Sequence, residues 1–456
     1  MASKTTLNAA NLETLGAARL AQLLIEVSEG NAGAKRRLRL ELVGAGSPAE
    51  LAAEVRKRIA TIGRSRTFVD WQKRKALIDD LESQRRTIID KVAKRAPAEG
   101  LELMWRFLDL AESIYERSGD SSGAISGMFQ GAIDDLGTIA QLARPDPIQL
   151  ADQVFEALNR NGYGQFNELI DKLRPALGTS GLERLKQRMI ALAAERVAKP
   201  SEQNRHMVRS ALKNIADAQG DVDAYMAQYD ASTRTVPTVA AAIARRLLQA
   251  GRNDDAWRTI EATAQRSSDW TNFEWEDARI AVLEATGRND EAQAARWSCF
   301  ERSLSKRHLR ENLAKLPDFD DFDAEQRALD YVERFEYPVQ AIMFLIEWPA
   351  LDRAAGVVTQ RAGEIDGNQY EFLTPAADAL AGKYPLAATL TLRTMIDFTL
   401  TTNRVSRYGH AARHLRNCEG LAAAIRDHGT FLEHDAYVAR LRRDHGRKAA
   451  FWSLVG

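Results

Sequence analysis

Apolar residues recur at helical spacing through most of this chain. Neighbouring apolar positions fall three or four residues apart, which places them on one face of a helix. No run of alternating β-branched residues is present, and Asn161-Gly162 stands between helical patterns rather than between strands. The pattern predicts an all-α protein of about 20 or more helices. Clear apolar stripes are Leu15, Leu20, Leu23, Leu24 and Val27, then Leu77, Ile78, Leu81, Ile88, Ile89 and Val92.

Three prolines stand where a helix is expected to begin. Ser47-Pro48, Asp146-Pro147 and Thr374-Pro375 each place a capping side chain directly before the proline. Proline suits the first helical position because its missing N–H has no intrahelical partner there. We therefore predict a helix start at each of these three sites.

A short sequence repeat marks the centre of the chain. The segment LLQAGRNDDA at 247–256 matches LEATGRNDEA at 283–292, at an offset of 36 residues. In each copy a glycine is expected to end one helix in the left-handed conformation, and the Asn/Asp turn begins the next helix. Weaker copies surround Gly220 and Gly382. The repeat predicts antiparallel helix hairpins, which should stack because one hairpin cannot bury its apolar face alone.

These segments resemble the helix–turn–helix junction of tetratricopeptide-type repeats, whose period is about 34 residues. The resemblance covers 215–300 and, more loosely, 320–400. It implies an α-solenoid with tetratricopeptide-like hairpins in 146–400, a less regular helical region in 1–145, and capping helices in 401–456. A generic pair of antiparallel helices is the alternative interpretation of the same pattern.

The two ends give a second resemblance. The segments LNAANLETLGAARLAQLLIEVSEGNAGAKRRLRLEL and HDAYVARLRRDHGRKAAFWSLVG resemble the ends of an uncharacterised family of proteobacterial all-helical proteins. Similar helical regions accompany SWIM-type zinc-finger proteins, whose zinc motif needs Cys-x-Cys followed by Cys-x-His. This chain has only Cys299 and Cys418, so the resemblance does not imply that zinc site.

Composition excludes several classes of protein. Charged residues make up 28% and apolar residues 45%, which is not the composition of a disordered chain. Two cysteines cannot form a disulfide framework or a four-thiolate zinc site. No secretory signal or membrane-spanning stretch is visible, so we expect a cytoplasmic protein with no membrane partner.

The charge is balanced in total but not along the chain. There are 63 Lys and Arg and 63 Asp and Glu. Residues 51–100 contain 13 basic against 7 acidic side chains, and residues 401–456 contain ten against five. The centre, 101–400, is correspondingly acidic. The balanced total argues against a protein that is basic all over, but it leaves room for local basic patches.

The basic stretch 51–95 is a candidate nucleic-acid site. Clustered cations bind phosphates, and an exposed aromatic ring can stack on a base. Phe68 and Trp71 lie within the stretch. A solvated helix face, or pairing with the protein's own carboxylates, would explain the same charges. The candidate cations are Arg56, Lys57, Arg64, Arg66, Lys73 and Arg74.

The C-terminal segment is a second basic and aromatic candidate. Arg443, Arg447 and Lys448 precede Phe451 and Trp452. The favoured interpretation is a terminal helix whose aromatic rings close the core. The alternatives are a docking tail for a partner, an anion site or a dimer contact.

Three residues in the C-terminal part have zinc-ligand chemistry at helical spacing. His410, His414 and Cys418 are four residues apart and would share one helix face, and His428 or His434 could add a fourth ligand. The alternative is that Cys418 packs as a small apolar residue and the histidines bind no metal.

Two further patterns favour structure over catalysis. Gly119-Asp120-Ser121-Ser122-Gly123 fits a nucleophile-elbow pattern, but that motif needs a strand before the serine and here the preceding pattern is helical. Adjacent acid–histidine pairs such as Asp427-His428 point about 100° apart on a helix and do not form a dyad.

The sequence therefore favours a protein-interaction or scaffold module with no evident catalytic activity and no cofactor. Its partner would be an unidentified protein, and its oligomeric state is open. The alternative is a nucleic-acid-binding helical protein that uses 51–95. A third interpretation is a zinc-binding protein or an unrecognised enzyme at His410, His414 and Cys418.

Overall fold

The computed structural model describes residues 6–44, 47–120, 122–195, 202–264, 273–317 and 319–456. Within these ranges the regular elements are helical, and the one extended pairing is an isolated parallel bridge between Val69 and Ser118. The predicted all-α fold is confirmed. None of the helices described is both long enough and apolar enough to cross a bilayer.

The chain divides into two compact units, Met1–Arg234 and Thr235–Gly456. We refer to them as unit 1 and unit 2. This is a different division from the three regions expected from the sequence, 1–145, 146–400 and 401–456, whose boundaries stay predictions.

Unit 1 is a succession of helices in which near neighbours in sequence pack on one another: α10 packs on α9, α11 and α8. Its core runs from Leu51 in α4 to Ala218 in α11. The elements are α1 (Ala9–Glu13), α2 (Gly16–Ser28), α3 (Ala32–Gly44), α4 (Pro48–Arg64), α5 (Trp71–Thr87), a π-helical turn (Ile88–Val92), α6 (Pro97–Leu108), α7 (Ala111–Arg117), α8 (Ala124–Ala143), α9 (Pro147–Asn159), α10 (Leu169–Glu195), α11 (Glu202–Gln219), α12 (Val222–Met226) and α13 (Ala231–Arg234).

Unit 2 repeats this arrangement of packed neighbours. One core cluster surrounds Cys299, and a larger one runs from Phe300 to Phe451. The elements are α14 (Pro237–Gln249), α15 (Asn253–Ala264), α16 (Phe273–Ala285), α17 (Asn289–Ser303), α18 (Lys306–Leu313), α19 (Asp320–Glu333), α20 (Pro338–Glu347), α21 (Leu351–Gln360), a 3-10 turn (Ala362–Glu364), α22 (Tyr370–Ala381), α23 (Pro385–Thr401), a second 3-10 turn (Val405–Arg407), α24 (Tyr408–Ala422), α25 (His434–His445) and α26 (Ala449–Val455).

Two of the three predicted proline helix starts are confirmed. Ser47 Oγ accepts the backbone N–H of Ala49 at 3.2 Å, and α4 begins at the proline between them. Asp146 Oδ1 accepts the N–H of Gln149 at 2.8 Å at the start of α9. The start at Thr374-Pro375 is wrong, because α22 begins at Tyr370 and the proline lies inside it.

The two copies of the sequence repeat form the same turn. Gly251 and Gly287 have φ angles of +72° and +73°, which side chains rarely adopt. The backbone N–H of Arg252 bonds to Leu247 O and that of Arg288 to Leu283 O, each at 2.8 Å. These bonds satisfy carbonyls left free at the helix ends. Gly220 has the same left-handed conformation at +69°, whereas Gly382 is right-handed, so the later copy does not reproduce the turn.

Consecutive repeat turns are in direct contact. Asn253 donates to the carbonyl oxygen of Ala285 at 3.0 Å. The Arg288 guanidinium lies over the Trp257 ring, 3.8 Å from its centroid. In the same region α14 packs on both α15 and α16, and α16 packs on α17. The two turns that share the 36-residue sequence repeat therefore also contact each other.

Candidate interaction surfaces

Many cations of the basic stretch 51–95 are engaged by the protein's own carboxylates. Arg56 on α4 donates to Glu102 at 2.8 Å and to Glu99 at 3.3 Å, and the bond to Glu102 raises the pKa of Arg56. Arg58 pairs with Asp80 in the same way. Lys57 is exposed on α4. This half of the stretch fits the alternative of intramolecular pairing.

The last turn of α5 is also paired. Arg85 donates to Glu82 at 2.8 Å and to Asp135 on α8 at 2.6 Å. The hydrogen bond from Arg85, together with one from Arg86, lowers the pKa of Glu82 to about 2, although burial opposes this shift. Arg85 thereby joins α5 to α8, and its guanidinium is engaged by two carboxylates of the protein.

The loop between α4 and α5 is different. The backbone N–H of Val69 donates to Arg117 O at 2.8 Å, which ties this loop to the end of α7. Val69 turns inward and is buried, whereas the preceding Phe68 is 65% exposed. Alternation along the short extended segment therefore presents one aromatic ring to solvent.

Arg117 lies beneath this loop without an acidic partner. It is only 8% exposed. Its guanidinium donates to the carbonyl oxygens of Thr67 and Ile62 at 3.3 and 3.4 Å, and its Nε has no acceptor. Among the described residues no carboxylate pairs with it, and none contributes to the shift of its pKa. Burial lowers the pKa of Arg117, and the like charge of Arg66 lowers it further.

Arg74, on the first turn of α5, faces the loop that follows α7. Its Nη2 lies 3.5 Å from the position that a Cβ on Gly119 would occupy. The pKa of Asp120 is lowered: burial acts to raise it, but hydrogen bonds from α8 and the positive charge of Arg74 outweigh burial. Arg64, the last residue of α4, and Lys73, in the first turn of α5, are exposed at the two ends of the loop between α4 and α5. We call the set the α4–α5 basic cluster: Arg64, Arg66, Lys73, Arg74 and Arg117.

The C-terminal basic segment is arranged in the opposite way. Phe451 is completely buried and packs edge-on against Tyr408, with ring centroids 5.9 Å apart. Arg443 pairs with Asp444 at 3.0 Å, and Lys448 bonds to Asn403. Arg447 is exposed. The aromatic residue therefore belongs to the core of unit 2, as the terminal-helix interpretation expects.

The zinc candidates lie on α24 but do not share one environment. His410 is exposed, whereas His414 and Cys418 are buried. The Cys418 Sγ lies 3.8 Å from the carbonyl oxygen of Thr389, and burial raises the pKa of its thiol to about 12. Among the described residues no group of three or more His, Cys, Asp or Glu side chains is placed to hold a metal ion. The site thus gains no support from the geometry.

The nucleophile-elbow pattern falls in a helix cap. Its central Ser121 lies outside the described residues. The neighbouring Asp120 accepts the backbone N–H groups of Ile125 and Ser126 at 3.0 and 2.8 Å. The described part of this loop therefore begins α8, which follows a helix and not a strand.

One hydrogen-bonded array was not foreseen from the sequence. Ser305 Oγ lies 2.7 Å from His308 Nδ1, and His308 Nε2 lies 3.0 Å from Asp277 Oδ1. Arg307 also donates to Asp277, and the Phe273 ring stacks on the imidazole. Because His308 is completely buried, we interpret the array as a cap that fixes the start of α18 against α16. The Ser-x-x-His spacing was visible in the sequence, but the distant Asp277 was not.

An acidic and aromatic surface at the start of α19 was also missed. Phe319 is 88% exposed and Phe322 is 63% exposed. Asp320, Asp321 and Asp323 occupy the same first turn. The sequence shows these residues as the run Phe319-Asp320-Asp321-Phe322-Asp323. We call these five residues the α19 acidic–aromatic surface.

Fold and surfaces together define the class of protein: an all-α chain of packed neighbouring helices with two charged aromatic surfaces. The chain belongs to the DUF6880 family of unknown function, whose model matches residues 2–454. Comparison with curated proteins found no match. The expectation of an uncharacterised family is confirmed, whereas the relation to SWIM-type and tetratricopeptide proteins stays a prediction.

Proposed function

We propose that this chain is a cytoplasmic scaffold module that binds another protein through the α19 acidic–aromatic surface of unit 2. The observation that carries the proposal is the exposure of Phe319 and Phe322 side by side with three carboxylates. Large aromatic side chains are the residues that most often anchor protein interfaces.

Exposure of this pair is unfavourable in the isolated protein. Burying a phenylalanine side chain contributes about 1.5–3 kcal/mol. Phe319 also has a φ angle of +77°, a left-handed conformation that costs roughly 1–2 kcal/mol for a residue with a side chain. The aspartates stabilise the positive end of the helix dipole, but that role does not require exposed rings. A partner that buries the rings would offset both costs.

The surface also specifies the chemistry of the partner. Three carboxylates in one helical turn favour a surface rich in Lys and Arg, and the two rings require an apolar pocket between those cations. We therefore infer a basic protein or peptide with an apolar recess.

The repeat supports a scaffold role. Stacked hairpins of the tetratricopeptide type present long surfaces made from successive helices, and the contacts at Gly251 and Gly287 are those expected of such stacking. We propose on this basis that unit 2 is tetratricopeptide-like and solenoidal. The relation to helical regions of SWIM-type proteins is part of the same proposal.

The test is affinity capture from the native cytoplasm with wild-type protein and with the double variant Phe319→Ser/Phe322→Ser. The matched control is Phe372→Ser/Leu432→Ser, which removes two other exposed apolar side chains of unit 2. We expect a basic protein that the wild type and the control retain and the double variant loses.

The affinity for the recovered partner should then fall at least about tenfold in the double variant, as for two interface anchors. It should also weaken with added salt because the carboxylates attract the partner. Equal affinity of the double variant and the wild type would contradict the proposal.

A further inference from the structure

The α4–α5 basic cluster carries more positive charge than its own carboxylates neutralise. Two acids lie close to cations of the cluster: Asp70 beside Lys73, and Asp120 beside Arg74. Asp70 accepts two backbone N–H groups of α5, and its distance to the Lys73 ammonium is a long 3.9 Å. Asp120 accepts backbone N–H groups of α8. Both carboxylates also cap helices, and they are outnumbered by the five cations of the cluster.

Arg117 gives the cluster an inner contact point. A buried guanidinium without a carboxylate is costly unless a compensating anion is present. The two carbonyl oxygens that it reaches are at long hydrogen-bond distances, and its Nε has no acceptor. Arg66 adds a second positive charge close to it. An oxyanion seated between these two side chains would supply the missing acceptor and remove the repulsion between like charges.

Phe68 distinguishes this place from a simple anion site. Its ring is largely exposed, and it precedes the residue that ties the loop to Arg117. An aromatic face beside a row of cations is the arrangement with which proteins hold unpaired bases and their phosphates. In a duplex the base faces are covered by neighbouring pairs, so a duplex could not use this ring without being opened.

We propose that the α4–α5 basic cluster binds single-stranded nucleic acid. Arg66 and Arg117 contact a phosphate, Arg64, Lys73 and Arg74 hold the adjoining backbone, and Phe68 stacks on a base. This function is independent of the protein-binding surface proposed for unit 2.

The test is fluorescence anisotropy of a labelled oligo(dT) titrated with the full-length protein across a series of salt concentrations. We expect oligo(dT) to bind at low salt. The logarithm of the association constant should fall linearly with the logarithm of the salt concentration, with a slope near −0.7 for each phosphate contact. Arg66→Ala should weaken binding and make this slope shallower. Phe68→Ala should weaken binding at least about fivefold while leaving the slope unchanged, because stacking carries no charge.

Arg416→Ala is the matched control, since it removes an exposed arginine from α24 of unit 2. It should bind oligo(dT) like the wild type. Circular dichroism of every variant checks that the helices are intact, and the exposed positions of Arg66 and Phe68 make unfolding an unexpected result.

The proposal is overturned if oligo(dT) does not bind at low salt. It is equally overturned if Arg416→Ala weakens binding as much as Arg66→Ala, because the attraction would then be general. The single-stranded assignment would be contradicted if the protein bound a blunt double-stranded DNA as tightly as oligo(dT). Undiminished binding of oligo(dT) by Phe68→Ala would contradict it as well.

Discussion

The loop between α4 and α5 and the C-terminal helix α26 have the same sequence character and opposite structures. Each places Arg and Lys beside Phe and Trp. In α26 the Phe451 ring fills the core of unit 2, and nearby cations meet partners of the same unit: Arg440 pairs with Asp397 at 2.7 Å, and Arg442 lies over Trp452. In the loop, Phe68 faces solvent and Arg117 has no acid.

The difference shows that a basic and aromatic sequence pattern does not decide whether its rings and cations are available to a ligand. Cations and rings close in sequence indicate a ligand surface only when the ring is exposed and the cations lack carboxylates of their own. Both conditions depend on residues far away in the chain, such as Asp397 for α26 and Arg117 for the loop. The following predictions are ordered by the size of the expected effect.

The largest difference should appear in stability. Phe451→Ala should lower the free energy of unfolding of unit 2 by about 3–5 kcal/mol, because a completely buried ring is replaced by a cavity. Phe68→Ala should change the stability of unit 1 by less than about 0.5 kcal/mol. Urea denaturation followed by circular dichroism measures both. Similar losses from the two substitutions would remove the distinction drawn between the rings.

The second prediction concerns the thiol of Cys418, which belongs to the same core cluster as Phe451. Burial raises the pKa of Cys418 to about 12, so at pH 8 only about one thiol in ten thousand is the reactive thiolate. Iodoacetamide should therefore label Cys418 very slowly in the native protein. Phe451→Ala should accelerate labelling many-fold by loosening the same core, whereas Phe68→Ala should not. Mass spectrometry of the labelled peptide gives the rates, and rapid labelling of the wild type would contradict the packing described for α24.

The third prediction tests the paired half of the basic stretch. Since the pKa of Glu82 is lowered to about 2, its contribution to stability is complete above its ordinary pKa and is lost as the pH falls through 2. Glu82→Gln should therefore make the stability of unit 1 less sensitive to pH between about 4.5 and 2. The exposed Glu54→Gln is the control. An unchanged acid profile for Glu82→Gln would show that Arg85 and Arg86 do not depend on this carboxylate.

The smallest effect on stability is expected at Arg117. Arg117→Met removes a buried charge that has no acid partner and keeps a side chain of similar length, so the stability of unit 1 should be unchanged or slightly higher. Binding of oligo(dT) should nevertheless fall. Calorimetry and anisotropy on the same preparation separate the two results. A loss of several kcal/mol would mean that the bonds to Thr67 and Ile62 are structural.

Local sequence signals predicted the elements well. Gly251 and Gly287 were correctly placed in left-handed helix ends, because this conformation is a property of the glycine and its nearest neighbours. The Ser47 and Asp146 caps follow from equally local chemistry. Thr374-Pro375 failed because a proline is also tolerated inside a helix when the preceding turn accommodates it, and α22 extends back to Tyr370.

Tertiary partners were not predictable in the same way. His410, His414 and Cys418 were placed together by their spacing, yet packing against neighbouring helices buries two of them and exposes the third. Arg117 was not singled out, because its surroundings come from a loop about 50 residues earlier in the chain. The run of Phe and Asp at 319–323 was visible in the sequence, but the exposure of its two rings was not.

The contact between consecutive repeat turns has a consequence for how such chains can grow. Trp257 and Asn253 lie at the start of one repeat, and Arg288 and Ala285, which they contact, lie at its end. Both halves of each contact lie within 253–288, so a tandem duplication of this segment would carry the complete contacts in each copy. Lengthening the chain by whole copies would therefore preserve this contact in every added hairpin.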